Sequence, residues 1–203
     1  MAERPEITEK DREISRRFDF DYFDGDRRHG YGGFSYHPRF WTDTVDLFSN
    51  HYGLTQNSAI LDVGCAKGFM LKDFSKRLPG ARLAGVDISH YAIENAEPEV
   101  AAYLRVASAD ELPFEDNSFD LVLSINTIHN LERDGCLRAF TEIERVCSGN
   151  AFVMVDGWKS QEERQLLQSW VLTARTMLSG EEWVGLMNEA GYTGDYAFWN
   201  PLC

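Results

Sequence analysis

The spacing of apolar residues changes character along the chain. From Ser58 onward, short apolar runs alternate with stretches in which apolar residues return every three to four positions. Ala59–Val63, Arg82–Val86, Tyr103–Val106, Phe119–Ile125 and Ala151–Val155 have the length and composition of strands buried on both faces. Between them the pattern predicts a helix from about Gly68 to Leu78, a second helix capped by Ser89, and a third whose buried face is Cys136, Leu137, Phe140, Ile143 and Val146. Ser179-Gly180-Glu181-Glu182 has capping-box spacing ahead of Trp183, Leu186 and Met187; Gly191 ends that helix, and Tyr196–Trp199 supplies a last strand. Strands alternating with helices predict an α/β fold, a Rossmann-like three-layer sandwich with a mostly parallel sheet and helices on both faces. Within 157–178, Gln161–Gln168 reads as helix, while Val171–Met177 fits helix or strand.

Residues 1–50 break this pattern. They are rich in charge and aromatic rings, with a short helix expected over 7–18 and a loop at Tyr31-Gly32-Gly33. The chain therefore divides into an N-terminal arm or lid, 1–50, and a catalytic domain, 51–203.

Composition narrows the function. Apolar residues make up 43% and charged residues 26%, as in soluble globular proteins. No apolar run approaches the roughly 18 residues that span a bilayer, and the charged N-terminus lacks the apolar core of a signal peptide, so the expected setting is cytoplasmic, with no membrane partner. A net charge of −13 repels a polyphosphate and argues against nucleic acid. Cys65, Cys136, Cys147 and Cys203 have neither disulfide-framework nor zinc-site spacing, so no metal is expected. A small-molecule substrate fits best, handled by a monomer or homodimer.

The most informative segment is Asp62-Val63-Gly64-Cys65-Ala66-Lys67-Gly68, which follows a strand and opens a helix. Small residues at 64, 66 and 68 admit a ligand close to the backbone, and a helix N-terminus favours a negative group. Asp62 opposes a pyrophosphate but suits a cationic amino group. Asp87, at the end of the second strand, can accept both hydroxyls of a ribose. The loop from Ser108 to Asp120 places polar groups where a base would lie.

These three blocks, within about residues 55–156, resemble the class I S-adenosylmethionine-dependent methyltransferases. The resemblance implies S-adenosylmethionine as cofactor. It assigns Asp62, Gly64, Cys65, Ala66 and Gly68 to the methionine end, Asp87 and Ile88 to the ribose, and Ser108, Ala109 and Asp110 to adenine. Asn126 falls near the methionine moiety or the reacting methyl. Ala66 stands where the family has a middle glycine, and Ser108 where it often has Asp. With Gly30-Tyr31-Gly32-Gly33 and the terminal Gly191–Tyr196, the whole chain resembles a group of small stand-alone bacterial methyltransferases. In that frame Arg39 pairs with the cofactor carboxylate, Tyr31 closes over the methyl group, and Arg27 and Arg28 bind a substrate phosphate.

Methyl transfer needs an aligned nucleophile, exclusion of water and, for some acceptors, a base. His129, four residues past the fourth strand, is the candidate base. Asn130 beside it and Trp158 after the fifth strand are candidate substrate contacts, and Asp156 and Lys159 lie along the same edge. The expected reaction is methyl transfer to an O or N nucleophile of a sugar, nucleotide-sugar or secondary metabolite. The alternatives are an NAD(P)-dependent oxidoreductase, which Asp62 and the lack of a Tyr-x-x-x-Lys pair oppose, and a non-catalytic methyltransferase-like partner subunit.

Overall fold

The computed structural model describes residues 7–200; the ends of the two expected domains, 1–6 and 201–203, lie outside them. Its strands are β1 (Ala59–Val63), β2 (Arg82–Asp87), β3 (Leu104–Val106), β4 (Phe119–Ile125), β5 (Cys147–Trp158), β6 (Leu178–Ser179) and β7 (Asp195–Trp199). They form one sheet in the order β3-β2-β1-β4-β5. β7 pairs with the middle of β5, and β6 with its last two residues. Every pairing is parallel.

The helices are α1 (Glu9–Ser15), α2 (Phe20–Phe23), α3 (Pro38–His51), α4 (Phe69–Arg77), α5 (His90–Glu94), α6 (Arg133–Val146), α7 (Gln161–Trp170) and α8 (Gly180–Glu189). Strand residues alternate between two cores. Leu61 and Val63 pack with Phe140 and Ile143 of α6 and Trp183 and Leu186 of α8. Ile60, Leu121 and Leu123 pack with Met70, Leu71 and Phe74 of α4 and Val45 and Phe48 of α3. Burying each such side chain contributes about 1.5–3 kcal/mol, so the helix layers on both faces hold the sheet between them. The sandwich is the one expected from the alternation of periods.

Three local expectations change. The segment 38–51, read as part of the arm, is a helix of the core: His37 caps it, Pro38 opens it, and Val45 and Phe48 are buried against α4. Only residues before it lie outside the sandwich. β5 is longer than Ala151–Val155, because Cys147 and Asn150 pair with Phe119 and Leu121 of β4, and Gly157 and Trp158 pair with β6. The stretch 171–177 is neither helix nor strand. Its backbone is taken by other segments: the N–H groups of Arg175 and Thr176 both donate to the carbonyl of His129, and the carbonyls of Val171 and Ala174 accept from Arg12 and Arg16.

Candidate active site

After β1 the chain moves outward to β2 and β3, then crosses back to β4 on the other side of β1. Crevices in parallel sheets open at such a reversal, at the carboxyl ends of the strands. Two cavities lie here, of about 340 and 370 Å³.

The loop after β1 shapes the first. Gly64 has φ +88°, and a Cβ there would fall 1.9 Å from Oγ1 of Thr127, so the loop and the end of β4 touch through a missing side chain. Gly68 caps α4 at φ +79°, and Ala66 also sits in the left-handed region at φ +46°. The N–H groups of Gly64 and Cys65 donate to the carbonyl of Val86, that of Gly68 to Cys65, and that of Ala66 to Oδ2 of Asp87. The loop therefore offers a ligand its close backbone surface rather than these donors. Gly64 and Ala66 line the cavity, whereas the Cys65 side chain is buried in the core behind it.

Two carboxyl groups stand at this end. Asp87 lines the cavity and is fixed by N–H groups of Ala66 (2.8 Å) and Ser89 (2.9 Å). Asp62 is 4% exposed and has no ion-pair partner among the described residues. Burial, with the Asp87 carboxylate nearby, pushes Asp62 up to about 8. A cationic amino group is the ligand such a pair needs, and this fits the amino acid end of S-adenosylmethionine. Farther along, Ile88, Ser108 and Ala109 line the same cavity. Asp110 is turned away: it accepts from Ser108 and pairs with Arg138 at 2.6 Å, leaving Ser108 and Ala109 to meet a base.

The second cavity lies beyond Asn126, and the two share Tyr22, Tyr31 and Asn126. Asn126 is held at φ +54° with its N–H on the carbonyl of Met154. Asn130 lines the first cavity, not the second, and its buried Oδ1 lacks a partner. His129 and Asp156 line the second. Nδ1 of His129 accepts the backbone N–H of Asp156 at 3.1 Å, and the Asp156 carbonyl accepts the indole N–H of the buried Trp183 at 2.8 Å. With Nδ1 so occupied, neutral His129 carries its proton on Nε2. In this state Nδ1 is engaged by the backbone, and the expected role of His129 as a base rests on Nε2. Burial lowers its pKa, against the raising effect of Asp156. The Asp156 carboxyl is raised by burial, with His129 opposing. Trp158 lies elsewhere, under the guanidinium of Arg164. The indoles in the cavity are Trp170 and Trp199, which no motif in the sequence singles out.

The arm roofs both cavities. Arg16, Arg17, Phe18, Tyr22, Phe23 and Tyr31 line the first. The arm is fastened through Asp24, whose carboxylate takes Nζ of Lys67 at 2.6 Å, the hydroxyl of Tyr91 at 2.6 Å and the N–H of Phe34 at 2.8 Å. Burial works against the Asp24 carboxylate, but these partners bring its pKa below the ordinary value. Lys67, inside the glycine loop, thus holds the arm, a role legible only once Asp24 is beside it. The four arm residues expected to meet ligand separate. Tyr31 lines both cavities, and Arg27 lines the second while donating to the carbonyls of Gly30 and Tyr31. Arg28 is held by both oxygens of Asp11 and is committed to the arm itself. Arg39 is exposed on α3 and stacks on Phe40, away from either cavity, so its expected pairing with a cofactor carboxylate does not hold in this geometry.

No group of three or more His, Cys, Asp or Glu among the described residues is arranged to hold a metal, and no helix among them is long and apolar enough to cross a membrane.

Comparison with known proteins agrees with this geometry. Residues 61–155 match the methyltransferase domain family. A malonyl-[acyl-carrier protein] O-methyltransferase of Legionella pneumophila is 30% identical over 115 residues, covering 55% of this chain and 40% of that protein. The chain spans 60% and 40% of the lengths of two curated relatives it matches. Among solved structures, the YcgJ protein of Bacillus subtilis superposes with TM-score 0.61 at 19% identity, covering 73% of this chain and 67% of that one. The [4+2]-cyclase SpnF superposes with TM-score 0.59 at 20% identity, covering 84% and 61%. Residues 61–155 thus match a methyltransferase domain, and the fold is shared with these solved structures.

Proposed function

We propose that the chain is an S-adenosylmethionine-dependent methyltransferase acting on an O or N nucleophile of a small molecule. The observation that carries this reading is the pairing of two cavities that meet at Tyr22, Tyr31 and Asn126, one lined by Gly64, Ala66 and Asp87 with Asp62 buried behind that loop, the other of small-molecule size. Asp62 and Gly64 frame the methionine end, Asp87 and Ile88 the ribose, and Ser108 and Ala109 the base. When bound, the cofactor supplies an electrophilic methyl group. The chain's own part is alignment: Tyr22 and Tyr31 stand at the junction of the two cavities. A net charge of −13 and an acceptor cavity of about 370 Å³ favour a small molecule over nucleic acid. The kinship with a cyclase fold means that geometry alone does not name the reaction; Asp62 argues for a cationic cofactor and against NAD(P).

Calorimetry with S-adenosylhomocysteine and with NADH tests this. Binding of S-adenosylhomocysteine but not NADH is expected, with Asp87→Ala weakening it by about tenfold or more through loss of charge-assisted hydrogen bonds. NADH binding without S-adenosylhomocysteine binding would refute it.

A further inference from the structure

The second cavity has walls that discriminate among acceptors. At about 370 Å³ it is near the lower end of small-molecule sites and suits one substituted ring. Trp170 and Trp199 form an aromatic corner, their centroids 5.6 Å apart and tilted by 45°. Arg27 brings a guanidinium with no carboxylate in ion-pair reach among the described residues, unlike its neighbour Arg28 on Asp11. In a chain of net charge −13, a cation placed in a cavity wall without an internal counterion favours an anionic ligand group. His129, with its proton on Nε2, and the Asp156 carboxylate, Oδ2 of which is 3.8 Å from Nδ1 of the ring, both line the cavity. A hydroxyl can donate to a carboxylate and accept from an N–H, whereas a protonated amine only donates.

Resting on the methyltransferase reading, we propose that this cavity takes a small hydroxylated aromatic acid, its ring against Trp170 and Trp199, its acid group at Arg27 and its hydroxyl between His129 and Asp156. In the transfer, the hydroxyl oxygen bonds to the methyl carbon as the carbon–sulfur bond breaks. The electron pair of that bond leaves on sulfur, and the hydroxyl proton passes to Asp156.

The test is calorimetric titration of 4-hydroxybenzoate, benzoate, 4-hydroxybenzylamine and glucose 6-phosphate, each with and without saturating S-adenosylhomocysteine. 4-Hydroxybenzoate should bind about tenfold more tightly than each of the others, the effect of one charge-assisted hydrogen bond. Arg27→Gln should weaken both benzoates by about as much, and Asp156→Asn should bring 4-hydroxybenzoate down to the level of benzoate while leaving benzoate unchanged. Tighter binding of the amine or the sugar phosphate, or no binding of 4-hydroxybenzoate to protein that binds S-adenosylhomocysteine, overturns the inference and leaves the methyltransferase reading standing. Failure of S-adenosylhomocysteine itself to bind overturns that reading instead.

Discussion

His129 takes the backbone N–H of Asp156 on Nδ1, 3.1 Å away, and this single contact decides which nitrogen of the ring holds a proton. The ring is buried and its pKa is lowered, so it stays neutral at physiological pH. Nitrogen NMR should show the Nε2–H tautomer from pH 6 to 8; a ring that titrates above the ordinary value of about 6.5 would refute the assignment. The linkage follows in sign. Because the unfolded ring binds a proton more readily than the folded one, stability should be full above about pH 6.5 and decline as pH falls toward the folded pKa. His129→Phe should remove that decline, at a cost of about 1–3 kcal/mol from the orphaned Asp156 N–H.

Asp62 gives the opposite pH signature in binding. Its carboxyl, raised to about 8, must lose a proton before it can hold an ammonium group. Affinity for S-adenosylhomocysteine should therefore rise about tenfold per pH unit from pH 6 toward 8. Asp62→Asn should bind weakly and without that slope. The same variant should be more stable than the parent in the absence of ligand at pH 7.5, since a group raised in the fold contributes stability at low pH that is lost as pH rises through its folded pKa. An unchanged slope in Asp62→Asn would show that another group titrates.

The Lys67–Asp24 pair fastens the arm with a lysine only 7% exposed. Removing the lysine leaves the part-buried Asp24 with only the Tyr91 hydroxyl and the Phe34 N–H, so Lys67→Met should destabilise the fold by about 1.5–3 kcal/mol. Trypsin cleavage at Arg27 or Arg28 should accelerate in the same variant. Equal cleavage rates would mean that the arm is held by its aromatic contacts alone.

Gly64 and Gly185 make a matched pair. A Cβ on Gly64 would collide with Thr127, and the backbone there is left-handed; one on Gly185, within α8, would meet nothing within 4 Å. Gly64→Ala should cost about 2–4 kcal/mol and abolish cofactor binding, whereas Gly185→Ala should stabilise by about 0.5–1 kcal/mol. Urea denaturation measures both. A tolerated Gly64→Ala would show that the loop has room to shift.

The sandwich was legible because β1, β2 and β4 are buried on both faces and their apolar runs are short, while the helix of Phe140 and Ile143 keeps a clean three-to-four spacing. The turn from β1 into α4 was legible because its small residues, Gly64, Ala66 and Gly68, stand together in the sequence. What escaped depends on distant partners. α3 was hidden by His37-Pro38, which looks like a loop until Val45 and Phe48 are set against α4. Arg28 and Arg39 looked alike as free cations; Asp11 and Phe40 claim them only in three dimensions. The hydrogen bond on Nδ1 of His129 comes from a backbone N–H that no residue name encodes.

Arg12 reaches the carbonyls of Gln168 and Val171, and Arg16 that of Ala174, in a segment whose own amides return to His129. The cover over the acceptor cavity is therefore stitched from two strips of chain 156 residues apart. Neither strip can lift without breaking the seam, so their amides should exchange with deuterium as one cooperative unit and not as two loose loops. Admission of an acceptor and retention of the roof then become a single equilibrium, set by the strength of that seam.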